Sequence, residues 1–162
     1  MQEFVAASAA VVILGINQTN GEAAAGVFRD QGAAVDFFCV DVSNTKACQS
    51  AIHTLTSTRG RVDYLVNNAV SFMAKGLDAT AADWERSLGV NLRGYADMVH
   101  ACFEPIRQHG GAIVNMASVS APVAQPNRWT YNASKGALVT LTTCQAFDIA
   151  PYHLRVYVVS PG

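Results

Sequence analysis

The sequence lacks the features of a membrane-spanning, exported or nucleic-acid-binding chain. Its longest unbroken apolar run, Ala9 to Leu14, is far shorter than the ~20 residues that a membrane span needs. No basic residue precedes Arg29, so the start has no charged signal-peptide region. Lysine and arginine total 11 against 12 acidic residues, without any block of like charge. We therefore expect an intracellular, cytoplasmic protein with no nucleic-acid partner and no membrane partner.

Paired cysteines are also missing. The four cysteines are scattered singly, with no C-x-x-C pair and no histidine at metal-ligand spacing: Cys39, Cys48, Cys102 and Cys144. This distribution predicts no metal site. We expect all four to be reduced, buried and used as small apolar side chains.

What the sequence does contain is a regular alternation of short apolar runs with longer helical patterns. The runs are mainly apolar and do not alternate with polar residues, which indicates strands covered on both faces: Ala10–Leu14, Val35–Val40, Val62–Val66, Ala112–Met116 and Leu154–Val159. This βα alternation predicts an α/β fold, a doubly wound parallel sheet with helices on both faces. The 162 residues correspond to a single domain, residues 1–162,.

A polar residue interrupts the apolar stripe of one predicted helix. This helix begins at the capping-box-like segment Thr80–Asp83, and Asn91 falls on the stripe between Leu88 and Tyr95,. An amide among apolar neighbours must find hydrogen-bond partners. On spacing alone, Asn91 is either a satisfied structural side chain or a catalytic one.

The next predicted helix, from about Arg128 to Ala150, carries Tyr131 and Lys135 four residues apart and therefore on one face,. A phenol is a poor acid or base at neutral pH, but a neighbouring ammonium stabilises the phenolate. Taken alone, the pair is more typical of a solvated helix face than of a catalytic site.

The surroundings of this pair carry a specific resemblance. Tyr131 follows Ser118, which ends a predicted strand, by 13 positions, and Asn91 lies in a V-N-L segment. Three further segments follow predicted strands: Asp41–Val42, Asn67–Ala69 and Ser160–Gly162. With its Y-x-x-x-K motif and the order of these segments, the chain resembles the short-chain dehydrogenase/reductase family and is expected to have that Rossmann-like fold.

The resemblance implies a role for each matching residue. Tyr131 would exchange a proton with the substrate oxygen, and Ser118 would hold that oxygen. Lys135 would favour the phenolate and bond the nicotinamide ribose, while Asn91 would hold a relay water through its backbone at a helix irregularity. The implied cofactor is NAD or NADP, and its binding residues would be Asp41 and Val42 at the adenine, Asn68 and Ala69 at the ribose, Tyr131 and Lys135, and Pro161 and Gly162 at the nicotinamide.

The chain also departs from the family pattern. A member begins with a strand and a Gly-rich turn that holds the pyrophosphate, whereas Gln2–Ser8 is typical of the end of the helix that follows that turn. The resemblance therefore implies truncation at both ends, without the first strand and its turn and without the C-terminal substrate part. Because that strand would lie between Ala10–Leu14 and Val62–Val66, we expect a split sheet.

Smaller departures concern the cofactor. Gly15 stands where the family has an acidic residue for the adenosine ribose, so the sequence does not choose between NAD and NADP. Val70 replaces a glycine, and Tyr157 replaces an asparagine. We expect these changes, together with the absent turn, to weaken cofactor binding by this chain.

Two functional readings follow. The first is an NAD(P)-dependent oxidoreductase that interconverts a secondary alcohol and a ketone. The second is a catalytically inactive truncated product that at most associates with full-length subunits. The resemblance further implies a homo-oligomer formed through residues 80–109 and 128–150. Phe72, Met73 and Trp129 favour an apolar small-molecule carbonyl or alcohol substrate, whose identity and direction of reaction stay open.

Overall fold

The computed structural model describes residues 1–162 and contains each of the predicted strands and helices. The helices are α1 (Gln2–Ala6), α2 (Gln18–Arg29), α3 (Thr45–Arg59), α4 (Ala81–Leu88), α5 (Gly94–Arg107) and α6 (Trp129–Ile149). A π-helical turn, Gly89–Arg93, joins α4 to α5, and a 3-10 turn, Ala150–Tyr152, follows α6. The strands are β1 (Val11–Gly15), β2 (Val35–Cys39), β3 (Tyr64–Asn67), β4 (Gly111–Met116) and β5 (Leu154–Val159).

The strands form two separate parallel ladders. In the smaller ladder β1 pairs with β2, with Val11 opposite Val35. In the larger ladder the order is β3-β4-β5, with Tyr64 opposite Ala112 and Gly111 opposite Leu154. One edge of β1 and one edge of β3 have no strand partner. The sheet is therefore split, as expected, and the two edges present backbone groups that no ladder satisfies.

The two ladders have cores of different size. The main core has 13 buried residues contributed by the larger ladder, α3, α5, the end of α6 and the segment after β2: Val40, Val42, Cys48, Ala51, Ile52, Leu65, Met98, Val99, Cys102, Ile106, Ile113, Ile149 and Leu154. The smaller ladder has a cluster of only three, Ala25, Val35 and Phe37. There α2 lies close against β2, because a Cβ on Gly21 would overlap the ring of Phe37. The main core therefore carries most of the apolar burial.

The start of α4 is fixed by the predicted capping box. The Oγ1 of Thr80 accepts from the backbone N–H of Asp83 at 3.2 Å, and the Asp83 carboxylate accepts from the N–H of Thr80 at 2.9 Å. These reciprocal bonds satisfy two donors that a helix N-terminus otherwise leaves free. They fix the start of the helix that leads into the π-helical turn.

The prediction that all cysteines are buried is wrong for two of them. Cys48 and Cys102 are buried in the main core, where burial raises the pKa of the Cys102 thiol to about 12. Cys39 and Cys144 are exposed, because Cys39 ends β2 and Cys144 lies on the outward side of α6. None of the helices has both the length and the apolar character needed to cross a membrane.

Candidate active site

The carboxyl ends of β4 and β5 bring two predicted site segments together. After β4, the N–H of Ala117 donates to the carbonyl of Val159 at 2.7 Å, and the N–H of Val119 donates to the carbonyl of Pro161 at 3.1 Å. Ser118 lies between these two bonds. The predicted nicotinamide border, Pro161 with the exposed Gly162, therefore lies beside the segment that carries Ser118.

Helix α6 places Lys135 one turn after Tyr131, on the same face of the helix,. The Nζ of Lys135 donates to the carbonyl oxygen of Met116 at 2.6 Å and lies 5.4 Å from the ring centroid of Tyr95 and 6.0 Å from that of Tyr131. Lys135 is only 1% exposed. Because burial penalises the ammonium, it lowers the pKa of Lys135 from 10.5 to about 8,. The structure thus places a buried cation next to the phenol that the motif singled out.

Tyr131 is buried, and Phe72, from the loop between β3 and α4, packs against its ring. The ring of Phe72 lies 4.8 Å from the Tyr131 ring, centroid to centroid, in a tilted arrangement. Phe72 and Trp129 are themselves more than half exposed. The approach to Tyr131 is therefore bordered by aromatic faces open to solvent, and such faces favour contact with an apolar ligand.

The two serines after β4 have different environments. The Oγ of Ser118 is half-buried and accepts from the N–H of Ser120 at 3.1 Å. Ser120 is buried, and its hydroxyl donates to Oε1 of Gln125 at 2.8 Å. Ser118 therefore keeps its hydroxyl proton for another acceptor, whereas Ser120 uses its proton inside the loop.

Asn91 lies in the π-helical turn, and its amide is fully used. Its Oδ1 accepts from the N–H of Ser71 at 2.8 Å, and its Nδ2 donates to the Ser71 carbonyl at 3.0 Å and to Oγ of Ser134 at 3.1 Å. The hydroxyl of Ser134 in turn donates to the carbonyl of Tyr131 at 2.7 Å. The side chain of Asn91 thus joins a loop to the turn that carries Tyr131, and any role for Asn91 with water falls to its backbone. Interruptions of this π type are frequent at functional sites.

Thr130 is a second anchor, which sequence reasoning missed. It is fully buried, its N–H donates to the Lys75 carbonyl at 3.2 Å, and its Oγ1 accepts from the Lys75 N–H at 3.0 Å and donates to the Met73 carbonyl. The hydroxyl of Ser87 donates to the carbonyl of Thr130 at 3.0 Å. Thr130 therefore fixes the loop that holds Phe72 to the start of α6.

A buried polar chain behind the site was also missed. Nδ2 of Asn67 donates to Oδ1 of Asn115 at 2.9 Å, and Asn115 donates to Thr142 at 3.0 Å and to Gln145 at 2.9 Å. This chain of hydrogen bonds connects β3, β4 and α6. The available signal was Asn115 itself, a polar residue inside an apolar strand, which needs buried partners.

The predicted adenine residues lie at the end of β2. Oδ1 of the exposed Asp41 accepts from the N–H and the hydroxyl of Ser43 at 2.9 and 2.7 Å, and these bonds lower the pKa of Asp41. Nη2 of Arg93 donates to the Ser43 carbonyl at 2.7 Å, which ties this segment to the π-helical turn. Val42 is buried in the main core, so only its backbone can face a ligand.

The predicted ribose residues follow β3. Asn68 is exposed, and the carbonyl of the half-buried Ala69 accepts from the hydroxyl of Tyr95 at 2.9 Å. Val70, which follows them, is 53% exposed. The structure thus places Ser118, Tyr131, Lys135 and Asn91 around the carboxyl end of β4 and the first turns of α6, with the predicted ribose and adenine residues after β3 and β2.

The chain is similar to known proteins. The sequence profile of the family described as enoyl-(acyl carrier protein) reductase matches residues 1–162. Cyclopentanol dehydrogenase from Comamonas sp. is 35% identical over 156 residues, which cover 95% of this chain and 62% of that protein.

Two solved structures are also similar. The structure of NAD+-bound xylitol dehydrogenase has a TM-score of 0.90 at 32% identity and covers 95% of this chain and 60% of its own. Gluconate 5-dehydrogenase from Burkholderia cenocepacia, with NADP and tartrate, has a TM-score of 0.92 at 32% identity and covers 99% and 64%. The chain spans less than two thirds of the length of these relatives, but the profile match over its whole length shows that it belongs to the short-chain dehydrogenase/reductase family.

Proposed function

We propose that this chain carries the proton-transfer centre of an NAD(P)-dependent oxidoreductase that interconverts a secondary alcohol and a ketone. The observation that carries the proposal is the buried ammonium of Lys135, fixed to the carbonyl of Met116 at 2.6 Å and 6.0 Å from the ring of Tyr131. A solvated helix face does not bury a lysine to 1% exposure,. Tyr131 is therefore proposed as the general acid and base.

The residues present fit part of a nicotinamide dinucleotide. Lys135 uses one of its three N–H groups on Met116, and no atom of the chain accepts from the other two, which suits a ribose,. Asp41 keeps Oδ2 free of bonds to the chain, and the exposed Asn68 can face a ribose. Residues 1–162 contain no Gly-rich turn for the pyrophosphate. The cofactor, when bound, supplies or accepts the hydride.

In the reducing direction, Tyr131 gives its phenolic proton to the substrate oxygen as the attached carbon takes up the hydride. The Oγ–H of Ser118 donates a hydrogen bond to the same oxygen, on which negative charge develops. The ammonium of Lys135 stabilises the phenolate that remains on Tyr131. Asn91 and Thr130 hold the loop and helix turn that position these groups. Oxidation reverses the proton transfers.

The alternative is that the chain is catalytically inactive and only associates with longer family members. The observation that favours it is the split sheet, in which β1 and β3 each have an unpaired edge. The surface for association would be a groove between α4, the π-helical turn, α5 and α6 that Leu88, Leu92 and Leu141 line. In this reading a second copy of the chain, or a longer subunit, covers the groove.

The two readings separate in one experiment. Residues 1–162 replace the matching part of Comamonas cyclopentanol dehydrogenase, and the resulting chimera is assayed with cyclopentanol and either cofactor. Turnover that depends on Tyr131 supports the first reading. A folded chimera that binds cofactor but has no turnover contradicts it and favours the second.

A further inference from the structure

The segments around Tyr131 are positively charged. Residues 68–77 and 117–147 contain no aspartate or glutamate, but they include Lys75, Arg128 and Lys135. Lys75 pairs with Asp78 at 3.3 Å, which leaves Arg128 and Lys135 without an acidic partner. Helix α6 adds to the potential, because its first turn has no acidic residue and its N-terminus no side-chain cap,. The entrance to the site is therefore suited to an anion.

Arg128 is the cation at this entrance. Of the eight arginines, the five that form ion pairs are Arg29, Arg59, Arg61, Arg93 and Arg107. Arg128 is half-buried, and its guanidinium makes no hydrogen bond within the chain. Its Cζ lies 5.3 Å from the ring centroid of Phe72, the residue that packs on Tyr131. The aromatic contact holds the guanidinium beside the site while its N–H groups stay free.

We infer that the substrate of the proposed reaction carries a carboxylate and that Arg128 binds it; this inference rests on the proposed function of Tyr131. The guanidinium, the Phe72 ring and the Tyr131 ring follow one another at 5.3 and 4.8 Å. The Cζ of Arg128 and the ring centroid of Tyr131 are thus at most about 10 Å apart. A ring-sized body with a hydrogen bond at each end can span this distance. The exposed faces of Phe72 and Trp129 contact that apolar body.

Arginine suits this role better than lysine does. Its planar fork donates two parallel hydrogen bonds to one carboxylate, which sets the orientation of the ligand as well as its charge. With the carboxylate on Arg128, the opposite end of the body points toward Tyr131 and Ser118. The structure thus assigns to Arg128 the selection of oxo acids or hydroxy acids over neutral ketones or alcohols.

The test is a binding measurement on the 162-residue chain, which needs no turnover. A Trp84→Phe background leaves Trp129, next to Arg128, as the only tryptophan. Its fluorescence is titrated with cyclohexanecarboxylate and with the neutral cyclohexanecarboxamide, and calorimetry on the same samples gives an independent dissociation constant. We expect the carboxylate to bind at least about tenfold more tightly, because a charge-assisted bond adds to the shared apolar contact.

The variants make the test specific. Arg128→Gln should remove the preference for carboxylate, and Arg128→Lys should restore only part of it. The matched control is Arg155→Gln on β5, which removes the same charge from an exposed, unpaired arginine and should leave the preference unchanged. Equal binding of both probes, no binding of either, or an equal loss with Arg155→Gln would overturn the inference.

A second measurement separates this inference from the proposed reaction. In the cyclopentanol dehydrogenase chimera, Arg128→Gln should raise the KM for 4-oxocyclohexanecarboxylate about tenfold or more and leave its kcat and the KM for cyclohexanone unchanged. An inactive chimera with Arg128-dependent carboxylate binding contradicts the proposed function alone. An active chimera without that dependence contradicts the carboxylate site alone.

Discussion

Lys135 donates from its buried ammonium to the carbonyl oxygen of Met116 at 2.6 Å, and Met116 is the last residue of β4. Ser118 follows two residues later along the same backbone. One hydrogen bond therefore joins the helix that carries Tyr131 to the strand end that carries Ser118. It also fixes the ammonium where two of its protons have no acceptor from the chain.

Replacement of the phenol tests the proposed acid and base. In the cyclopentanol dehydrogenase chimera, Tyr131→Phe keeps the ring contact with Phe72 and removes the proton, so turnover should fall by about 10²–10⁴. Ser118→Ala should reduce kcat in the same direction. The control is Ser120→Ala, whose hydroxyl bonds only to Gln125 and which should leave kcat nearly unchanged. Near-full turnover by Tyr131→Phe would show that the motif assignment is wrong.

The buried lysine makes stability depend on pH. The pKa of Lys135 is lowered to about 8 in the folded chain against an ordinary value of 10.5. Between these values the unfolded chain binds more protons than the folded chain, so the contribution of Lys135 to stability increases as pH rises. The upper bound is about 3 kcal/mol, because one pKa unit corresponds to about 1.4 kcal/mol.

Urea unfolding at pH 7 and pH 10.5 measures this effect. The difference in unfolding free energy between the wild type and Lys135→Met should shift in favour of the wild type as pH rises. Lys46→Met, on the exposed side of α3, controls for removal of a lysine in general. The same trend in both variants would contradict the effect of burial.

Thr130 should be important for stability as well as for the site. Thr130→Val keeps the shape of the side chain but leaves the Lys75 N–H and the Met73 carbonyl without their partner, which we expect to cost about 2–4 kcal/mol,. Thr130→Ser keeps the hydroxyl and should lose less than half of that. Chemical denaturation of the 162-residue chain measures both. A loss with Thr130→Ser as large as the loss with Thr130→Val would contradict the assignment of the effect to the hydrogen bonds.

The isolated chain should bind dinucleotides weakly. Residues 1–162 supply no Gly-rich turn for the pyrophosphate, and the exposed Val70 stands where the family resemblance implies a glycine,. We expect no rise in melting temperature with NAD(H) or NADP(H) at about 1 mM and no measurable turnover. A clear rise with either cofactor would show that other groups hold the phosphates.

Self-association through α4–α6 is testable by light scattering. We expect the chain to associate at tens of micromolar through the groove that Leu88, Leu92 and Leu141 line. Leu141→Lys should abolish the association, because it places a charge in the apolar groove. Val27→Lys, at a 56% exposed position on α2 outside residues 80–109 and 128–150, is the matched control. A folded wild-type chain that stays strictly monomeric would exclude this surface.

The pattern of the sequence predicted the elements better than the contacts between them. Apolar runs and capping signals placed the five strands and the long helices, since both depend on local sequence,. Spacing also placed Tyr131 and Lys135 on one face. The partners of Asn91 and Thr130, in contrast, come from loops 20 and 55 residues away in the sequence, and no periodic pattern reports such contacts. The prediction that Cys39 and Cys144 are buried was wrong for the same reason, because burial also depends on contacts between distant segments.

The unequal cores should give the two halves of the chain different native-state lifetimes. The β1–α2–β2 unit buries three core residues, so its amide protons should exchange through local opening at a lower free energy than those of β3–β5,. Asp41 lies between Val40 and Val42, which both belong to the main core, so we expect it to stay with the larger unit, as Tyr131, Lys135 and Ser118 do. We therefore expect local opening of β1–α2–β2 to leave in place both the proposed proton-transfer groups and the segment after β2 that the main core holds,.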